Sequence, residues 1–172
     1  MKNILPAFVF IVIVFLVTSP VSAKSDEGCK LQGSWLGSGA DGGRWIATYH
    51  GQSASSGTND LDLFMDPTLG GLFPDAVKTS SWRGVWERTG GNTFKYTLIV
   101  LGLDGSGAVN WILKNSGDKT LTEDCNLMVV EGTLEVFSPD VDPFEGDPLL
   151  CIPGGGSWEV RMRVDPLCSL AQ

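Results

Sequence analysis

The sequence predicts an all-β fold: an antiparallel up-and-down barrel of eight or nine strands, with a β-sandwich as the alternative. Three observations carry this. Residues 83–97 read R-G-V-W-E-R-T-G-G-N-T-F-K-Y-T. Two alternating runs flank a Thr-Gly-Gly-Asn turn, with Trp82, Gly84, Trp86 and Arg88 on one face and Phe94, Tyr96, Leu98 and Val100 sharing another. A period of two in aromatic and β-branched residues around a Gly-rich turn is a hairpin signal. Next, the chain carries 22 glycines, all beyond position 23 and roughly twice average usage, which disfavours helix. Finally, no long segment shows a 3.6-residue period, and short runs are separated by turn residues, as in sandwiches and barrels.

The elements follow in order. Lys2 and an unbroken apolar run of 11 residues at positions 7–17 lead to Val21-Ser22-Ala23. That is the pattern of a cleaved export signal over residues 1–23. A membrane anchor needs about 20 apolar residues, and Pro20 ends this run early. One domain is expected over residues 24–172, without a membrane span. Strands are expected at residues 33–38, 44–49 and 61–65, with residues 53–58 as a small-residue loop. Residues 66–79, with Pro67, Gly70, Gly71 and Pro74, form a second loop. The hairpin at residues 81–89 and 93–101 follows. Asp104-Gly105-Ser106-Gly107 turns the chain into residues 108–115. Gly117-Asp118 is expected to turn it again, into a strand at residues 119–125.

Residues 127–137 form a long strand with Met128, Val130, Gly132, Leu134 and Val136 inward. Residues 138–156 read as a Pro/Gly/Asp loop. Residues 158–164 close the domain, with Trp158, Val160, Met162 and Val164 inward and Glu159, Arg161 and Arg163 outward, the usual pattern of a half-buried antiparallel strand.

Charge and cysteines bound the function classes. Without residues 1–23 the chain keeps 11 basic and 20 acidic residues. Such an acidic surface repels nucleic-acid phosphates and anionic lipid, so no nucleic-acid partner is expected. Cys29, Cys125, Cys151 and Cys168 form an even set in an exported, periplasmic or secreted chain, which points to two disulfides. Three pairings are open. Cys29–Cys168 with Cys125–Cys151 is favoured, because the first two lie near the chain ends and the others flank one β segment and its loop. No C-x-x-C spacing suggests zinc or redox chemistry.

Gly33-Ser34-Trp35 resembles the first signature motif of lipocalins. The stretch from Arg83 to Thr97 is similar to a G-x-W-x-R-x-G segment followed by F-x-Y-T in exported bacterial proteins described as lipocalin-like or calycin-like. Gly132-Thr133-Leu134-Glu135-Val136 continues that order. The resemblance implies a calycin-type barrel in which Trp35 plugs the closed end. It also implies that a late arginine, Arg161 or Arg163, packs over that ring as a cation–π contact.

Catalytic and metal signals are sparse. His50 is the single histidine and reads as an exposed residue near a strand end. No G-x-S-x-G elbow accompanies it. Asp140, Asp142, Glu145 and Asp147 suit a hard cation such as Ca²⁺, but the spacing departs from the EF-hand loop and a solvated acidic loop is the favoured reading. No metal or other cofactor is expected. The aromatic set is the stronger candidate, since an eight-stranded barrel is either filled by side chains or holds one small ligand. Inward glycines at Gly84 and Gly132 favour a cavity. Trp45, Trp86, Tyr96, Trp111 and Val130 are the expected lining residues.

The expectation is thus a monomeric, exported, non-catalytic binding protein for a small hydrophobic or amphipathic molecule. One alternative is an interaction protein with a packed barrel. It would act through loops 66–79 and 138–156, using Leu69, Leu72 and Phe73, or Phe144, Leu149 and Leu150. Another is an isomerase or cyclase using an inward carboxylate with Tyr96, for which the sequence shows no inward acidic pair.

Overall fold

A computed structural model describes residues 28–163 apart from positions 41 and 155. The expected export signal, Val164 and Cys168 lie outside the described residues. Ten strands are present among those described: β1 (Gly33–Gly39), β2 (Arg44–Gly51), β3 (Ser56–Leu63), β4 (Lys78–Thr79), β5 (Trp82–Gly90), β6 (Thr93–Leu103), β7 (Val109–Leu121), β8 (Leu127–Phe137), β9 (Leu150–Pro153) and β10 (Ser157–Arg161). Neighbours pair antiparallel in the order β1-β2-β3-β5-β6-β7-β8, and β10 pairs with both β8 and β1. The sheet therefore closes into the expected eight-stranded barrel, which removes its exposed edges. Short β4 pairs with the end of β6, and β9 takes the stretch of β8 that β10 leaves free.

The central hairpin forms as its alternation dictates. Trp86 faces Tyr96 across the ladder and Gly84 faces Leu98. Gly91 turns the chain with φ of 45°, where glycine carries no Cβ penalty.

Five expectations are corrected. The expected loop at residues 138–156 contains β9, because Leu150 to Pro153 pair with Val136 to Thr133. Residues 56–58 belong to β3 rather than to a loop, because Gly57 and Thr58 pair with Gly51 and His50. Gly117-Asp118 does not turn the chain. β7 runs straight through, Gly117 pairing with Tyr96 and Gly132 on either side. A Cβ on Gly117 would lie 2.0 Å from the Glu131 carbonyl oxygen, so this glycine serves a close strand approach.

The last strand is inverted. Glu159 is buried and Arg161 half-buried, while Trp158, Val160 and Met162 face out, Trp158 with 45% of its surface exposed. The inward charged groups Glu159 and Arg161 both find partners, which is what permits the inversion. Finally, Cys29 pairs with Cys125 at a Cα separation of 5.3 Å, and Cys151 is an exposed free thiol. Cys125 sits in the β7–β8 turn, beside the segment entering β1, so the bond ties the chain's entry to the barrel floor.

The two barrel ends differ. The floor end is filled by Leu31, Trp35, Trp86, Phe94, Leu121 and Met128, all buried. Trp86 and Phe94 meet edge to face at 5.7 Å. At the other end, the loop before β5 folds inward. Met65, Leu69 and Phe73 pack on the core, and the Trp111 indole N–H donates to the Pro67 carbonyl at 2.8 Å.

Candidate functional site

Between the filled floor and the mouth lies a cavity of about 370 Å³. Its lining includes Gly132 of β8, Gly154 and Ser157 where β9 hands over to β10, and Gly39 and Ala40 after β1. Leu61, Trp82, Leu98, Leu113 and Val130 give apolar walls, inward because each keeps the parity of its strand. The volume falls within the range of small-molecule sites.

The base of the cavity is polar. Lys119 and Glu159 are each 1% exposed. Lys119 Nζ donates to Glu159 Oε1 at 2.9 Å and also to the Tyr49 hydroxyl oxygen. Tyr49 in turn donates to Glu159 Oε2 at 2.9 Å, and Trp45 Nε1 donates to Oε1 at 3.1 Å. The ammonium also lies over two rings, 4.9 Å from the centroid of Tyr49 and 4.5 Å from that of Tyr96. Every contact offsets part of the several kcal/mol per ion that burial costs. Tyr96 donates to Asn115 Oδ1 at 2.9 Å.

Burial raises the Tyr49 hydroxyl well above the ordinary tyrosine range. The Glu159 charge, its hydrogen bond and Tyr96 add to that. Burial, then the Glu159 charge, also pushes Tyr96 upward. Both remain protonated and serve as donors. Among the described residues, three buried side-chain polar atoms lack a partner: Nδ2 and Oδ1 of Asn59, and Nε1 of Trp82.

Of the expected lining residues, Trp45, Tyr96 and Val130 line the cavity. Trp86 and Trp111 do not. Trp86 is consumed in the floor, where its N–H donates to the Thr58 carbonyl at 3.2 Å, and Trp111 is held under the mouth loop by Pro67 and Phe73. Gly84 and Gly132 do face inward, but their space is used: a Cβ there would meet Asn59 Oδ1 at 2.9 Å and the Tyr96 hydroxyl at 2.4 Å respectively.

Lys119, Glu159, Tyr49, Asn115 and Asn59 were missed as site residues, and Trp82, expected among the inward aromatics, was left out of the lining set. The signal for Lys119 was present: continuing the Trp111–Leu113 alternation puts positions 115, 117, 119 and 121 inward. A turn assumed at Gly117-Asp118 reset that phase.

Trp35 lies in the floor, its N–H donating to the Leu31 carbonyl at 2.9 Å. Arg161 covers it at 4.5 Å and donates to the carbonyls of Cys125, Gln32 and Lys30. Arg163 is exposed, so Arg161 holds the position over Trp35.

His50 is exposed and lies 3.3 Å from Asp60, which also pairs with Arg83. Among the described residues no three His, Cys, Asp or Glu side chains converge as a metal site. In the acidic loop Asp140 accepts from Ser138 and Asp142 from the Phe144 amide. Leu69 and Phe73 pack inward, leaving Leu72, Phe144 and Leu149 as exposed apolar loop residues. No helix among the described residues is long and apolar enough to cross a membrane. No family model, curated protein or solved structure matches this chain.

Proposed function

We propose that this chain is an exported, lipocalin-like, non-catalytic carrier that holds one small amphipathic molecule inside its barrel. The observation that carries the reading is the cavity itself: apolar walls above a fully buried polar base, reaching the rim at Gly39, Ala40 and Met65. Burial of the ligand's apolar surface at ~25 cal/mol per Å² supplies the drive, and a few convergent polar groups fix its orientation. The export pattern at residues 1–23 and the Cys29–Cys125 disulfide support placement in an oxidising compartment.

Trp45 and Trp82 line the cavity, so their fluorescence should change as a ligand enters. Val130→Phe fills the space from an apolar wall. It should abolish a saturable fluorescence change produced by the wild-type protein's ligand while keeping the melting temperature within a few degrees. Unchanged binding by that variant would place the ligand elsewhere.

One observation favours a second reading, that of a barrel isomerase. Glu159 is an inward carboxylate, and its charge acts on both tyrosines. It ranks second because both carboxylate oxygens already accept hydrogen bonds and an ammonium sits on one of them, which leaves neither oxygen open to a substrate proton. Recovery of a chemically altered ligand would reverse that order.

A further inference from the structure

We propose that the cavity selects an uncharged ligand whose polar end is an oxygen acceptor, of ketone, ester or ether type, and that it discriminates against both carboxylates and amines. This rests on the binding reading above and specifies its ligand class.

The first argument is charge balance. Lys119 and Glu159 are the two charged side chains among the described residues lining the cavity, and they neutralise each other at 2.9 Å. Glu159 is further occupied by Trp45 and Tyr49. The other inward cations are also committed: Arg88 to the Cys29 and Gly91 carbonyls and the Phe94 ring, Arg161 to three carbonyls and Trp35. A carboxylate would arrive with no free cation to receive it and would face Glu159. An amine would face Lys119. Either would bring an uncompensated charge into a site shielded from water, which is costly.

The second argument is the polarity of what is left over. The Trp82 indole N–H is buried without an acceptor on a ring that lines the cavity. Asn115 also lines it, and its Oδ1 is taken by Tyr96, which leaves its Nδ2 hydrogens as the free group. The carboxamide of Asn59, 1% exposed and one inward position along β3 from the lining residue Leu61, leaves one donor and one acceptor unpartnered and so does not tip the balance. On the lining itself, the Trp82 N–H and the Asn115 amide hydrogens leave donors in surplus. A buried donor left without an acceptor destabilises the empty site, and a ligand oxygen removes that cost.

Size narrows the class. At about 370 Å³ the cavity stands near the lower end of small-molecule sites. The ligand is therefore short-chain or single-ring.

The test is a series with one eight-carbon body and different ends: 2-octanone, methyl octanoate, octanoate and octylamine. Each is titrated into the full mature chain at pH 7, followed by calorimetry and tryptophan fluorescence. The ketone and ester should bind at least tenfold more tightly than the acid and the amine. Trp82→Phe should weaken the ketone several-fold. Glu159→Gln, which frees the Lys119 charge, should raise octanoate affinity at least tenfold. If Glu159→Gln does not fold, Trp82→Phe carries the test alone. Octanoate or octylamine matching the ketone in the wild type would overturn the proposal while leaving the binding reading in place. So would a ketone affinity indifferent to Trp82→Phe, or a folded Glu159→Gln that gains nothing for octanoate. Absence of binding by all four would instead remove the binding reading and this proposal with it.

Discussion

At the scale of the residue, the chemistry of this barrel is concentrated in Lys119, Glu159, Tyr49 and Tyr96. The chain contains two tyrosines, both in this cluster and both shifted upward, Tyr49 first by burial and then by the Glu159 charge, Tyr96 in the same order. A tyrosinate absorbance titration therefore reports the site alone. The sign of the stability change follows from linkage. An unfolded tyrosine loses its proton near pH ~10, while the folded one retains it. Above that pH the native state binds more protons than the unfolded state, so stability falls as pH rises. The contribution is complete below pH ~10 and is lost on the way up to the folded values. The native protein should show no tyrosinate absorbance through pH ~10.5. The signal should then appear together with loss of near-ultraviolet circular dichroism. A smooth tyrosinate titration centred near pH ~10 in the folded protein would contradict the buried cluster. None of these four residues was read from the sequence as a pair. Their partners are 40 to 110 positions apart, Lys119 from Glu159 and Tyr49 from Glu159. Only closure of the barrel brings them together.

At the scale of the element, β10 is where sequence pattern and structure part. Its two faces are equally regular in alternation. One is apolar, Trp158 and Val160; the other is polar, Ser157, Glu159 and Arg161. Binary patterning chooses the apolar face for the core. The structure chooses the polar one, because Lys119 and Tyr49 wait for Glu159 and Trp35 with three carbonyls waits for Arg161. Register confirms the consequence: Leu36 faces Val160 and Ile46 across β1, and Trp158 faces Val129, a row of half-exposed apolar side chains on the outer wall. The double variant Trp158→Ser, Val160→Thr should therefore change the unfolding free energy by less than about 1 kcal/mol in urea denaturation. Were these residues in the core, each truncation would cost about 2–5 kcal/mol, so a large loss would restore the opposite register. The hairpin and β8 were legible because one face of each is unambiguously apolar. β7 was half legible: Trp111 and Leu113 announced its inward face, and Gly117-Asp118 disguised its continuation.

At the scale of the molecule, the barrel divides its aromatic residues between two tasks. Trp35, Trp86 and Phe94 close the floor, and Trp111 with Phe73 anchors the loop over the mouth. Trp45, Trp82 and Tyr96 remain for the space between. Fold class, closure and a late arginine over Trp35 could be anticipated from turns, glycine content and two short motifs. Which aromatics are spent on packing could not, since all share the same inward parity and differ only in depth along the barrel. The Cys29–Cys125 bond was unreadable for a related reason: four cysteines give three pairings, and chain order says nothing about which turn lies beside which terminus.

The central claim is that the barrel is hollow and occupied by a small uncharged molecule. Native mass spectrometry of the protein purified from its own export route, before and after extraction with organic solvent, tests it most directly. The account predicts a discrete added mass that is lost on extraction and that belongs to a compound without a carboxylate or an amine. A bare mass, joined by unchanged tryptophan fluorescence across the eight-carbon series, would contradict it.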